Sequence, residues 1–526
     1  MPGSFSPLAS ARLKYQPRMP GLLKALPKLQ AVGLKNKVKT DPGVRPFFSQ
    51  LADSELVEFK RGRQIPGRPL KVGVFFSGGQ APGGHNVVSG LFDALKKIHP
   101  QAQLVGFLGG PSGLVEGKTK AVVAPALKFY RNQGGFDFLG SGRTKIETEE
   151  QLEAALACVR RLDLDGLVVV GGDDSNTNAA LMAEYFLKHK AKTKVVGIPK
   201  TIDGDLRSFW IENSFGFDTA TKVYSELIGN IAKDALSAKK YYHFIKLMGR
   251  SASHVTLECA LKTQVNFAFI AEEIRDRKLS LKELIDGLCR KIEKRIRHGK
   301  NYGVVLIPEG LIEFIPEVKR LIGELNRILA SDSSFLKVET PDSAAVQMEK
   351  IQPLLSASSR LCFQQMPRLI QTQLLCDRDP HGNVQVSQIE TEKLIMELVF
   401  SQMKARGLKF KAQAHFLGYE GRSALPTNFD ADYCYSLGFL AAALIQAGKT
   451  GYMAALKGLK KFTGAWQPFG VPLVSLMKLE ERKGQKKPVV QKALVDLKGR
   501  DFQLFCRRRL KWENADDYLC PGPIQF

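Results

Sequence analysis

Residues 164–206 constrain this chain more than any other stretch. Two apolar runs, Leu167–Val170 and Val195–Ile198, flank a helix-length segment from Ser175 to about Lys190. Short runs that are apolar throughout read as strands buried on both faces, and a helix between two of them makes the sheet parallel. Both runs stop abruptly, the first in GGDDSNT and the second in PKTIDGD. A strand that breaks at once into glycine and acid sets carboxylates and backbone N–H groups at the carboxyl edge of the sheet. Open α/β folds bind their ligands there.

The scheme recurs along the chain. Lys71–Phe76 (KVGVFF) reads as a strand, followed by SGGQAPGGHN and a helix from about Val87 to Lys97. Gly78, Gly79, Gly83 and Gly84 let the backbone curl close to a ligand, and the helix start offers unpaired N–H donors to an anion. The loop matches neither GxxxxGK[ST] nor GxGxxG, so neither standard nucleotide loop is read from it. Gln103–Phe107 is a further strand, and the turn GSGRTK (140–145) offers Arg143 to a phosphate. Strands at His243–Leu247 and Val304–Ile307 end in Met248-Gly249-Arg250 and Glu309-Gly310, and one at Lys411–Leu417 ends in GYEGR. Helices are expected at Glu149–Arg161, Asp218–Ala238 and Leu279–His298. Residues 311–400 are helix-rich by period, with breaks at Ser331–Ser334 and Asp377–Asn383, and read as an insertion rather than more sheet.

This alternation specifies an α/β fold of two Rossmann-like, doubly wound lobes with mostly parallel sheets, plus a helical insertion. A chain of 526 residues exceeds what one core supports. The expected division is an N-terminal arm at 1–65, one lobe at 66–238 and a second at 239–526. The first 40 residues hold eight Lys or Arg and no acid, which suits a targeting peptide or an arm lying across a neighbour; the prolines favour the arm. No apolar stretch approaches the roughly 20 residues that span a bilayer, and Gly438–Gly448 reads as a buried helix. Eight cysteines without a CxxC pair fit neither a zinc site nor a secreted disulfide framework, so a reducing compartment, the cytoplasm, is expected. Histidines 85, 243, 254 and 415 lack metal-ligand spacing and read as structural. A net charge of +25 suits nucleic acid or phosphorylated small molecules. The basic residues are spread out and no nucleic-acid module is visible, which favours the small molecules.

Asp173, Asp174, Asp203 and Asp205 put four carboxylates at two strand ends. They suit Mg²⁺ held through few protein ligands, water and phosphate oxygens, and they suit a general base acting on a hydroxyl. Helix capping accounts for one of the four acids. Lys200 sets an ammonium beside them.

GGQAPGGHN, GGDDSNT, PKTIDGD, MGR, PEG and GYEGR, in this order and spacing, resemble the phosphofructokinase superfamily, and within it the long pyrophosphate-dependent branch. The likeness extends from about Phe5 to the terminal PGPIQF and includes ARLKYQP, SQIETEKL and GYMAAL. It implies glycolytic, reversible transfer of phosphate from diphosphate to fructose 6-phosphate, giving fructose 1,6-bisphosphate and phosphate, with Mg²⁺. On the resemblance Asp203 is the base for the sugar's 1-hydroxyl, and Asp203, Asp174, Lys200 and Arg250 are the catalytic set. Asp173 holds the metal, and Gly78, Gly79 and Arg143 receive the diphosphate. Thr201, Ile202, Asp203, Met248, Gly249, Arg250, Glu309, Tyr419, Glu420, Gly421 and Arg422 bind the sugar. Lys240 and Tyr241 resemble positions that reach the sugar phosphate across the interface of a homodimer or larger homo-oligomer. ATP users of the family carry glycine where Asp174 and Lys200 stand, so the carboxylate at 174 is expected to occupy the space of a nucleotide's α-phosphate. An ATP-dependent sugar kinase of the same fold, a non-catalytic regulatory subunit and a nucleic-acid binder are the rival readings.

Overall fold

Valine and isoleucine crowd the runs on either side of Asp173, and both runs are strands. Gly166–Gly171 and Lys194–Thr201 pair in parallel with Gly171 opposite Pro199, and the Asp173–Lys188 helix connects them. The computed structural model describes residues 5–63, 67–331, 347–376, 383–482 and 485–526. These form two units, one from the described residues of Met1–Ala220, Tyr419–Ala493 and Gln525–Phe526, the other from those of Thr221–Gly418 and Leu494–Ile524.

Among the described residues the first unit holds an 11-stranded sheet. Its order is Leu29–Leu34, Leu56–Arg61, Gln467–Pro472, Tyr452–Lys457, Lys194–Thr201, Gly166–Gly171, Lys71–Ser77, Gln103–Phe107 and Thr119–Val122, with Ser141–Gly142 and Phe215–Gly216 beside it. The centre is parallel and the two flanks are antiparallel. Lys71–Ser77 lies directly beside Gly166–Gly171, with Phe76 opposite Val170, so three carboxyl ends are neighbours.

Two boundaries differ from the sequence reading. The segment expected as an arm supplies two strands, because Leu56, Val57 and Phe59 are buried and Leu56–Arg61 pairs with Gln467–Pro472. The expected second lobe at 239–526 is also not contiguous: residues 419–493 return to the first unit, where Tyr452–Lys457 pairs in parallel with Lys194–Thr201. A helix crossing secures that return. A Cβ on Gly90 of the Gly84–Ile98 helix would lie 2.2 Å from the Tyr435 carbonyl oxygen, and one on Gly438 of the Asn428–Gln446 helix 2.4 Å from that of Val87. The two backbones touch with no side chain between them.

The second unit has a parallel sheet in the order Phe267–Ala268, Gly303–Pro308, Tyr242–Leu247, Ala412–Leu417. Between the Gly303–Pro308 and Ala412–Leu417 strands come the helices Pro316–Ser331, Ala357–Gln364, Arg368–Cys376 and Thr391–Ala405. They share one core with Phe244, Val305 and Ile307 of the sheet, through Leu325, Phe363, Leu374 and Leu394. The breaks expected at Ser331–Ser334 and Asp377–Asn383 fall largely outside the described residues. Among the described residues no helix is long and apolar enough to cross a membrane.

Gly438→Val forces side-chain volume into the backbone contact with Val87, and overpacking of this kind costs about 1–3 kcal/mol. Thermal unfolding of the variant is expected at lower temperature than wild type; an unchanged melting curve would mean the helices can part without cost.

Candidate active site

The first unit's three central strands end side by side, and each ending is shaped by one hard constraint. After Lys71–Ser77 the chain turns through Gly78 at φ +85°, a conformation that favours glycine. The turn is tied down by the Gly78 N–H donating to the Gly142 carbonyl (2.8 Å) and the Ser141 hydroxyl donating to the Gly78 carbonyl (2.7 Å). A Cβ at Gly78 would sit 3.2 Å from Lys200 Nζ, and one at Gly79 2.7 Å from Arg422 Nη2. Both glycines therefore leave room for a cation. Beneath them the Ser175 hydroxyl meets Ser77 Oγ at 2.8 Å, and the Asn176 amide donates to the Gly171 and Gly172 carbonyls, closing the GGDDS turn.

Lys200 is the buried charge of this edge. Burial pulls its ammonium down to about 8, Asp203 and Asp173 hold it up, and Arg422 and Arg143 push it down. Asp203 follows a short turn in which its own N–H donates to Thr201 Oγ1 at 3.0 Å. Asp205 is buried beyond it, and burial together with the Asp203 charge pushes its carboxyl up to about 7, opposed by Lys492. Lys492 also lies 3.5 Å from Asp173 Oδ2. Asp174 takes another direction, its carboxylate 4.0 Å from Lys145 Nζ with a side chain 48% exposed against 21% for Asp173. Arg422, on the short Tyr419–Arg422 helix, donates to Gln80 Oε1 at 2.5 Å, while Tyr419 and Glu420 are exposed and Gly421 is buried.

The first unit thus brings together Gly78, Gly79, Arg143, Asp173, Lys200, Asp203 and Arg422, with Thr201 and Ile202 in the connecting turn. Three participants had escaped the sequence reading: Lys492, Lys145 and Gln80. Lys492 sits in a basic stretch that carries no motif; Lys145 closes the GSGRTK turn and Gln80 lies inside the glycine loop, where their side chains are the available signal.

A separate cluster forms at the carboxyl edge of the second unit's sheet. The Met248 N–H donates to the Leu417 carbonyl and the Glu309 N–H to that of Leu247, both at 3.0 Å. Glu309 is buried and accepts from the Gly249 N–H at 2.9 Å. Burial pushes its carboxyl up, against that N–H and the charges of Lys246 and Arg250. Gly249 holds φ +132°, and a Cβ on Gly310 would lie 1.8 Å from the Arg250 carbonyl oxygen, so both turns require glycine. The Arg250 side chain is left exposed. Lys240 and Tyr241 lie at the opposite, entering end of Tyr242–Leu247, Lys240 exposed and Tyr241 partly so.

Glycine turns, buried lysine and crowded carboxylates at the carboxyl ends of parallel strands define a phosphate-handling α/β protein. The chain belongs to the phosphofructokinase family, whose model, "Phosphofructokinase", matches residues 71–445. It is 51% identical to a pyrophosphate–fructose 6-phosphate 1-phosphotransferase of Treponema pallidum (strain Nichols) over 99% of this chain and 94% of that protein. It is 51% identical to the beta subunit of the Solanum tuberosum protein of that name, over 87% of this chain and 79% of the subunit. Its fold is similar to the crystal structure of a pyrophosphate-dependent phosphofructokinase from Marinobacter aquaeolei, with a TM-score of 0.52 and 16% identity over 85% of this chain and 92% of that one.

Sulfate keeps its charge across neutral and alkaline pH, so its binding reports on the proton of Lys200. Affinity is expected to fall as pH rises through about 8, where the ammonium is lost. Calorimetric titration of wild type and Lys200→Met checks this: the step near 8 disappears in the variant, and its persistence would assign it to another group.

Proposed function

We propose that the chain transfers a phosphoryl group from diphosphate to the 1-hydroxyl of fructose 6-phosphate, reversibly, giving fructose 1,6-bisphosphate and phosphate. The observation that carries this reading is the buried Lys200 ammonium, flanked by Asp203 and Asp173 and facing the Gly78 turn. Such a site suits a small donor of high charge density. The names of the relatives support the same donor and acceptor.

Phosphoryl transfer asks a protein mainly for alignment and for charge stabilisation. On this reading Gly78 and Gly79 let the backbone approach the diphosphate, and Arg143 and Lys200 balance its charge. Lys200 also steadies the departing phosphate. Asp203 takes the proton of the attacking hydroxyl, held in place by the Thr201 turn. Arg250 and Glu309 are assigned to the sugar phosphate and hydroxyls: an exposed guanidinium suits phosphate, and a buried carboxylate suits an O–H donor. Thr201, Ile202, Met248, Gly249 and Tyr419 through Arg422 complete that assignment.

The donor set also fits a magnesium ion. Asp173, Asp203 and Asp205 are close enough to raise Asp205, and a divalent cation beside them relieves that crowding. Among the described residues no three acidic, histidine or cysteine groups form a full cage. Mg²⁺ takes one or two carboxylates and fills its shell with water and phosphate, which suits Asp173 as the protein ligand. When bound it supplies charge neutralisation to the phosphate oxygens.

The reading extends to a glycolytic enzyme of the cytoplasm acting as a homodimer or larger homo-oligomer, with Lys240 and Tyr241 at the interface. Family resemblance supports this assembly, and the absence of cysteine pairing motifs suits the compartment.

Asp174, in the first turn of the Asp173–Lys188 helix, stands half exposed beside Lys145, and on the family resemblance its charge is what disfavours the α-phosphate of a nucleotide. Turnover is expected with diphosphate and not with ATP, and Asp174→Gly is expected to admit ATP binding without matching diphosphate turnover. Equal wild-type rates with both donors would overturn the assignment. Asp203→Asn should lower kcat by about 10²–10⁴-fold with little change in KM, the span of a general base; steady-state kinetics showing a smaller loss would remove Asp203 from that role.

A further inference from the structure

The segment SQIETEKL has no place in the chemistry above, yet it reaches directly beneath the second unit's polar edge. Its residues run through the Val386–Gln388 turn into the Thr391–Ala405 helix, and Ile389, Thr391 and Glu392 are buried. There they meet Lys246 of the Tyr242–Leu247 strand, itself 3% exposed. The Lys246 ammonium donates to the Ile389 carbonyl at 3.1 Å and lies 3.2 Å from a Glu392 carboxylate oxygen. It also sits 4.5 Å from the centre of the Phe416 ring, on the neighbouring strand. Lys246 comes two residues before Met248, and the strand beyond it, through the Leu247 carbonyl, receives the Glu309 N–H.

We propose that Lys246 is a positioning residue of this edge: it fastens the Met248-Gly249-Arg250 turn to the helical insertion through Glu392 and Ile389, and sets a fixed positive charge behind Glu309. The inference rests on the assignment of Arg250 and Glu309 to fructose 6-phosphate.

A purely structural role is the rival, and energetics separate the two. Breaking a buried ion pair on one side leaves an unpaired charge and costs stability, whereas replacing both partners by apolar residues is often neutral. A pair retained only for the fold is therefore replaceable, and a pair that orients a substrate edge is not. Lys246 does not touch substrate on this reading, so its effect should fall on binding of the sugar rather than on the chemical step.

The test compares the full-length enzyme with Lys246→Met/Glu392→Leu, measuring thermal unfolding and steady-state kinetics with diphosphate and fructose 6-phosphate. The expected result is a melting curve close to wild type, KM for fructose 6-phosphate raised by roughly tenfold or more, and kcat and the KM for diphosphate little changed. Lys246→Arg, which keeps the charge, should recover most of the sugar affinity. A double variant that folds and binds fructose 6-phosphate as wild type overturns the proposal, as does an equal loss in kcat and in both KM values. Arg250→Ala and Glu309→Gln are run beside it. If they raise the KM for the sugar and the double variant does not, only the role of Lys246 falls. If they leave it unchanged, the sugar assignment falls and the proposal with it.

Discussion

Burial of one ammonium governs the first sheet's edge. Lys200 has little water around it, and stripping a cation of water is costly unless opposite charge stands close by. Asp203 and Asp173 supply that charge from two different strand ends, and they are near only because Gly166–Gly171 and Lys194–Thr201 pair with Gly171 opposite Pro199. A slip of one residue would turn Lys200 to the other face of the sheet. The glycines at 78 and 79 follow from the same requirement, since any side chain there would press on Lys200 or Arg422. Cations without their full water shell act strongly on the next anion to arrive, which is how a structural cost becomes affinity for phosphate.

The second unit handles charge the other way. Lys246 and Glu392 neutralise each other inside the core, and Glu309 has its burial opposed by a backbone N–H and two cations. Arg250 is the exposed residue of the Met248-Gly249-Arg250 turn. One edge concentrates fields and the other fixes directions.

Much of this could be read from the residues. The strands flanking Asp173 were legible because buried parallel strands are apolar along their whole length, and their endings because glycine and acid cannot prolong them. The helix at Glu149–Arg161 was legible through the helical spacing of Leu152, Ala155, Leu156 and Val159, and the structure adds Thr148 as its cap. Leu56–Arg61 was not, because its burial pattern is irregular and its charged end hides a short apolar start. Nor was the return of residues 419–493, since a run such as Tyr452–Lys457 announces a strand without naming its partner. Lys492 belongs to the same class of omission: its closeness to Asp173 is a product of the chain's path, and no local spacing encodes it.

That returning path also sets a schedule for the nascent chain. Lys194–Thr201 lies in the middle of its sheet, but the strand that covers one side, Tyr452–Lys457, emerges only after the whole of Thr221–Gly418. At about 5–20 residues per second, the ribosome leaves that apolar edge uncovered for roughly 10–50 s. Throughout this interval the growing polypeptide carries an open, valine-rich template for foreign strands. Slow decoding of the helical middle would lengthen the exposure, and the yield of native protein is thereby tied to the pace of translation through a region distant from the exposed strand.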